Sequence, residues 1–309
     1  MGKIQQSNIL VVGSSNTDMV IKTNHLPRAG ETVIGGTFFM NPGGKGANQA
    51  VTIARLGGKV AFICKTGNDI FGHQSKQLFE KEGIDASHIL LDDENPSGVA
   101  LITVDEKAEN CIVVALGANA HLLPKDLLPA METINQADII LMQLEIPMET
   151  VEYVADIAFR AGKKIILNPA PAPAQPLSSS LLHHLYMITP NETEAEMISG
   201  VKITDETSAA EAARVIAAMG VQYVVITLGA KGALIYAKEN SDSIELIPSP
   251  KVNAVDTTAA GDVFNGSLTI ALSEGCALTE AVHFACKVAA ISVTRLGAQS
   301  STPYRNEVY

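Results

Sequence analysis

Short runs of β-branched and aliphatic residues recur along the chain, each followed by a stretch with apolar positions every three to four residues. Ile9 to Val12, Val60 to Cys64, Asp138 to Gln143, Lys164 to Asn168 and Tyr223 to Thr227 are the clearest runs. Strands this continuously apolar belong in a parallel sheet whose two faces are both covered by helices. The covering helices are predicted at Gly46 to Leu56, Phe71 to Glu82, Met148 to Ala161 and Thr207 to Met219, the last bounded by Asp205 and Gly220 as caps. Alternation of this kind predicts an α/β fold: a doubly wound, mostly parallel sheet with helices on both faces. Further on, Ala259 to Gly275 and Leu278 to Leu296 read as two long, largely apolar helices.

Two segments break the rhythm. Residues 19–40 and 98–118 look like strand pairs with turn residues between them, and LITVDEKAENCIVVAL reads as a hairpin. Two β excursions from one α/β unit spanning residues 1–309 predict a small β-sheet lid over the mouth of a site; the alternative is a pair of surface hairpins without a role. Asn168 to Pro176, NPAPAPAQP, is an extended connector that its prolines keep out of helix.

Composition narrows the function classes. The chain has 309 residues, 47% hydrophobic and 18% charged, as expected of a protein with a substantial core. Its apolar runs are too short to span a bilayer, and the start MGKIQQSNILVVG carries neither a secretory signal nor a myristoylation pattern. No membrane partner is expected, and the location expected is cytoplasmic. A net charge of −11 without a Lys/Arg cluster disfavours a nucleic-acid partner. Cys64, Cys111, Cys276 and Cys286 show no ligand-like spacing and read as reduced thiols rather than a zinc site.

Candidate chemistry gathers in a few motifs. In AVDTTAAGDVFNG, residues 254–266, the small residues Ala259, Ala260 and Gly261 open a helix and leave amides bare for a phosphate. Asp262 in that first turn opposes an anion unless it has a task, and the task that fits is accepting a proton from an attacking hydroxyl. The bland reading is a carboxylate answering its own helix dipole. In NPGGKGANQA, Gly43 and Gly44 allow close backbone approach, so that Lys45 and Asn48 can address a polar ligand. This is not a Walker A loop, because Gly46 follows Lys45, and no dinucleotide fingerprint GxGxxG follows the first strand. Asn16 and Asp18, at the exit of the first strand, fall on one face of an extended chain and suit neighbouring sugar hydroxyls. Glu145 follows the strand DIILMQL in the same way. Asn191 and Glu194 in TPNETEAE form a capping box, and Gly229 and Gly232 in TLGAKG make a flat turn able to pass beside an adenine or ribose.

In this order the motifs resemble the ribokinase-like (phosphofructokinase-B type) carbohydrate kinases, whose two signatures are matched by GGKGANQA and DTTAAGDVFNG. Smaller landmarks are GSSNTD, MQLE, TPNETEAE, TLGAKG and TRLGAQSS, so the likeness runs from about Ile9 to Pro303. The resemblance implies ATP-dependent phosphorylation of D-ribose at O5. Alternatives are 2-deoxyribose, fructose or adenosine as substrate, or a sensor that binds sugar without catalysis. It implies Asp262 as base and Ala259, Ala260 and Gly261 as an anion hole. Asn16, Asp18, Gly44, Lys45, Asn48 and Glu145 would hold the sugar. Asn191 and Glu194 would lie near the phosphates and a hydrated Mg²⁺, with Thr227, Gly229, Gly232, Gly261 and Cys286 along the nucleotide cleft. An activating K⁺ would be held by Asp256, by main-chain oxygens of Thr258, Ser292, Arg295 and Gly297, and by Ser301. The resemblance also implies a homodimer through the β lid.

Overall fold

The computed structural model describes residues 7–107, 109–237 and 243–308. Its strands are β1 (Asn8–Val12), β2 (Asn16–Lys22), β3 (Thr37–Gly43), β4 (Lys59–Gly67), β5 (Ile89–Asp92), β6 (Gly98–Val104), β7 (Asn110–Ala115), β8 (Ile139–Met142), β9 (Lys164–Leu167), β10 (Met187–Ile188), β11 (Tyr223–Thr227), β12 (Ala233–Ala237) and β13 (Ser243–Ile247). The helices are α1 (Lys45–Arg55), α2 (Ile70–Lys81), α3 (Met131–Gln136), α4 (Met148–Arg160), α5 (Ser179–His184), α6 (Glu192–Ser199), α7 (Glu206–Ala218), α8 (Ala260–Ser273) and α9 (Leu278–Ser292).

Nine strands form one sheet in the order β13-β12-β11-β10-β9-β8-β1-β4-β5. Neighbours from β5 through β11 pair in parallel, while β12 and β13 join antiparallel at one edge. The continuous apolar runs occupy its centre, as two covered faces require. Along β1, Ile9 and Val11 enter one core with residues of α1, α2, α8 and α9. Leu10 and Val12 enter the other, with residues of α3 to α7. The direction of winding switches at β1, which lies between β4 and β8; ligands of open α/β sheets bind outside the strand ends at such a point.

The two excursions make a second sheet in the order β3-β2-β6-β7. Successive side chains point to opposite faces, and β7 is exposed along its whole length. Asp18, Val20, Lys22, Phe39, Asn41, Ile102, Val104, Asn110 and Ile112 line a cavity beneath it. Ile21, Phe38, Met40, Leu101 and Val113 are exposed, as period-2 geometry demands of the opposite face.

The second long C-terminal helix is shorter than the apolar pattern suggests, ending at Ser292 rather than Leu296. The reason is tertiary. The Val293 carbonyl, which a continuing helix would pair with Gly297, accepts instead from the amides of Val255 (2.7 Å) and Asp256 (3.1 Å). The Gly297 amide donates to Asp256 Oδ2 at 2.8 Å. The loop before α8 thus takes over the bonds that would have extended α9.

Candidate active site

The exit of β1 and the start of α1 approach so closely that side chains are excluded. A Cβ on Gly46 would lie 2.6 Å from the Ser14 amide nitrogen. One on Gly44 would lie 2.7 Å from that of Asn16, and Gly44 has φ 90°, a region that favours glycine. This contact sets Lys45, Asn48 and Gln49 of α1 beside the strand ends. Ser14 Oγ donates to Glu145 Oε2 at 2.5 Å and the Lys45 amide donates to the same oxygen at 3.1 Å, fixing Glu145 just past β8. Buried Asn119 donates to Asn16 Oδ1 at 2.8 Å, which leaves the Asn16 NH₂ as the group to donate to a ligand.

Asp262 sits in the first turn of α8, 6% exposed. Asn48 Nδ2 donates to its Oδ2 at 2.9 Å and Gln49 Nε2 to its Oδ1 at 3.0 Å. Burial pushes its carboxyl above the usual range, against the lowering effect of Lys45, Asn48 and Gln49, while Glu145 adds to the rise. Asp18 is pushed up to about 6, first by burial and then by Glu145 and Asp262. Burial alone would lower the Lys45 ammonium, yet Asp262, Glu145, Glu194 and Asp18 hold it above its ordinary value. Asn48 Oδ1 is buried without a hydrogen-bond partner, an acceptor ready for a ligand hydroxyl.

Ala259, the N-cap of α8, adopts φ 59°, the left-handed conformation that non-glycine residues avoid. It turns the chain so that the amides opening α8 have no side-chain cap. Ala260 and Gly261 line a cavity of about 520 Å³ together with Thr227, Gly229, Gly232 and Cys286. Lys251, Val252, Phe264 and Val293 are among its other walls; of these only Phe264 falls within a motif noted in the sequence, where no role was given to it. The cavity under the small sheet measures about 650 Å³ and holds Asp18 at its wall. Ala254 and Thr257 border both cavities, so the two meet at the turn that leads into Asp262.

Asn191 and Glu194 form the capping box of α6: the Glu194 amide donates to Asn191 Oδ1 at 2.8 Å, and the Asn191 amide to Glu194 Oε2 at 2.9 Å. Glu194 is buried, which raises its carboxyl above the usual range. The Asn191 segment bridges Thr227, placing the box next to the second cavity. Asp256 Oδ1 accepts from the Thr258 amide (2.9 Å) and hydroxyl (2.6 Å), and Oδ2 accepts from Gly297. Burial would raise its carboxyl, but these donors hold it below the usual range. Two loops, one carrying Thr258 and the other Arg295 and Gly297, are thereby tied together. Ser292 is buried at the end of α9, and Ser301 Oγ donates to the Ala298 carbonyl at 2.7 Å. The Arg295 side chain turns away to pair with Glu307 at 2.8 Å.

The profile of the pfkB family carbohydrate kinases matches residues 6–305. The chain belongs to that family. This carbohydrate kinase is 47% identical over 302 residues to the ribokinase of Haemophilus influenzae, covering 98% of this chain and 97% of that one. It is similar to the structure of ribokinase from Thermotoga maritima, with 42% identity, TM-score 0.88 and 98% of each chain covered. It is also similar to Arabidopsis thaliana ribokinase complexed with ribose and ATP, at 29% identity, TM-score 0.91 and 98% coverage of both chains. As carbohydrate kinases do, it transfers a phosphoryl group to a sugar. Among its described residues, no helix is long and apolar enough to cross a membrane.

Proposed function

We propose that this kinase transfers the γ-phosphoryl group of ATP to O5 of D-ribose, giving ribose 5-phosphate and ADP. The observation that carries the assignment of roles is Asp262: a buried carboxylate in the first turn of α8, beside amides without a side-chain cap and just past the turn where two cavities meet. Ribose lies under the small sheet, with Asn16, Asp18, Gly44, Lys45, Asn48 and Glu145 on its hydroxyls. ATP lies in the cavity lined by Thr227, Gly229, Gly232 and Cys286. As O5 bonds to the γ-phosphorus, its proton passes to Asp262 and the bond to the β–γ bridging oxygen breaks, leaving ADP. The amides of Ala259, Ala260 and Gly261 receive the charge on the transferring group. Raised proton affinity makes Asp262 a better acceptor than an exposed carboxylate.

Mg²⁺ bound to the ATP phosphates would neutralise their charge. Among the described residues, no group of three or more His, Cys, Asp or Glu could hold a metal on its own. That suits an ion which stays hydrated and rides on the nucleotide, with Asn191 and Glu194 reaching its waters. K⁺ would be held by Asp256, Ser301 and the main-chain oxygens of Thr258, Ser292, Arg295 and Gly297. Asp256 already ties their two loops together, and a cation there would stiffen the turn into α8. The chain is read as one α/β domain whose small sheet serves as lid. Its exposed apolar face makes a homodimer interface, and the protein works in the cytoplasm, with neither nucleic acid nor membrane as partner.

The test is an ADP-release assay with ribose, 2-deoxyribose, fructose and adenosine, run in K⁺ and in Na⁺. Ribose-dependent turnover that falls on replacing K⁺ is expected. Asp262→Asn should lose about 10²- to 10⁴-fold in kcat while still binding ribose in calorimetry. Near-normal turnover of that variant overturns the role of Asp262.

A further inference from the structure

Behind Asp262 lies a buried set of side-chain amides and one hydroxyl, from Gln49, Gln143, Asn168, Asn265 and Thr189, none of which lines either cavity. Gln49 is fully buried and uses both hydrogens of its Nε2, one to Asp262 Oδ1 at 3.0 Å and one to Asn168 Oδ1 at 3.1 Å. Its Oε1 accepts from Gln143 Nε2 at 2.7 Å. Asn168 Nδ2 donates to the Thr189 carbonyl at 3.1 Å. Thr189 Oγ1 donates to Asn265 Oδ1 at 2.5 Å, and Asn265 Nδ2 donates to the Gly261 carbonyl at 2.8 Å. The path therefore starts at the carboxylate of Asp262 and returns to the peptide that precedes it. Gln143, Asn168 and Thr189 are the first residues past β8, β9 and β10, so three adjacent strands of the main sheet anchor the path.

Its polarity is fixed at each step. Turning the Gln49 amide over would set Oε1 against the Asp262 carboxylate and its NH₂ against the Gln143 donor. Gln143 Oε1 has no hydrogen-bond partner and occupies the space where a Cβ on Gly13 would stand, 2.0 Å away. A polar atom kept buried without a partner is destabilising. It is tolerated here while the Gln143 NH₂ serves Gln49.

We propose that Gln49 is a positioning residue for phosphoryl transfer, holding Asp262 in its working orientation and itself oriented by Gln143. Gln49 does not reach the substrate; it acts through the carboxylate. The titratable groups facing Asp262 are Lys45 of α1, Glu145 past β8, Asp18 of β2 and Glu194 of α6. All four remain in place when Gln49 is replaced, so a change in the acidic limb reports the lost hydrogen bond.

The inference rests on Asp262 being the base. Three variants test it: Gln49→Met, Gln143→Met and the double variant. Gln49→Met should lower kcat about 10- to 100-fold with KM for ribose near wild type, the cost of a misplaced catalytic group. Its kcat profile should have the acidic limb moved up by about one pH unit, because a donor to the carboxylate is gone. Gln143→Met should do the same more weakly. The double variant should lose no more than Gln49→Met alone, since Gln143 works through Gln49. Wild-type kcat in Gln49→Met, an unmoved acidic limb, or losses that add in the double variant would each overturn the proposal. If Gln49→Met does not fold, the acidic limb of Gln143→Met decides. Turnover retained in Asp262→Asn would instead remove the underlying reading, so the two failures are distinguishable.

Discussion

Replacing Asp18 by Asn should make the empty enzyme more stable and ruin its function. In the folded chain the Asp18 carboxyl titrates at about 6 against an ordinary 3.8, because burial and the nearby Glu145 and Asp262 oppose its charge more than Lys45 favours it. At about 1.36 kcal/mol per pH unit, that displacement is worth at most about 3 kcal/mol. A folded value above the unfolded one means the wild-type contribution is fully present below pH 3.8 and lost as pH rises through 6. Asp18→Asn, neutral throughout, should therefore gain its full advantage above pH 6 and none near pH 3.8. For a chain of this size the gain corresponds to about 4–5 °C in melting temperature. Thermal unfolding of both proteins without ligand, at pH 5 and pH 8, measures it. Calorimetry with ribose at pH 8 should show binding lost in the variant, and wild-type affinity should fall about tenfold per pH unit below pH 6. An advantage that does not change with pH, or a variant that still binds ribose normally, would refute the electrostatic account of Asp18.

Asn16→Met should reduce the preference for ribose over 2-deoxyribose by about 1–2 kcal/mol in kcat/KM, because the donor NH₂ that Asn119 orients is lost; an unchanged ratio measured on both sugars removes that role. Arg55 pairs through two nitrogens with Glu82, at 3.0 and 2.6 Å, and donates to the carbonyls of Gln299 and Thr302. Arg55→Met should cost about 3 kcal/mol in denaturant unfolding and raise the K⁺ concentration for half-maximal turnover; an unaltered K⁺ response would show that this tether does not reach the cation loop.

How much of this was legible in the chain depended on the range of the interactions involved. Apolar strands such as Ile9–Val12 and the α8 turn announce themselves locally, and Asn16 and Asp18 were placed on one face by period alone. The length of α9 was not legible, because Val293 and Leu296 continue the apolar pattern while the amides of Val255 and Asp256 take the Val293 carbonyl. Nor was β10, which at two residues is set by pairing with β9 and β11 rather than by its own sequence. Gln143, Asn168 and Thr189 each stand as a single polar residue after an apolar run, where a turn is the ordinary reading. Their importance lies in a partnership that spans from Gln49 to Asn265. Asn119 was hidden for the same reason: it meets Ser15 and Asn16 from 104 and 103 residues away.

The small sheet is joined to the rest of the molecule by very short connections: β2 begins three residues after β1, and β3 ends one residue before α1. Gly44 is the joint before α1, and Asp18 is the third residue of β2. A rotation of that sheet therefore shifts Asn16 and Asp18, two of the groups assigned to the sugar, relative to Asp262, whose helix belongs to the main body. On the proposed lid role, recognition and closure become a single displacement. A pentose spanning both parts completes the arrangement, whereas a water molecule at the position of O5 joins neither to the other. If the sheet acts as the proposed lid, economy with ATP in the absence of sugar follows from how the chain is threaded.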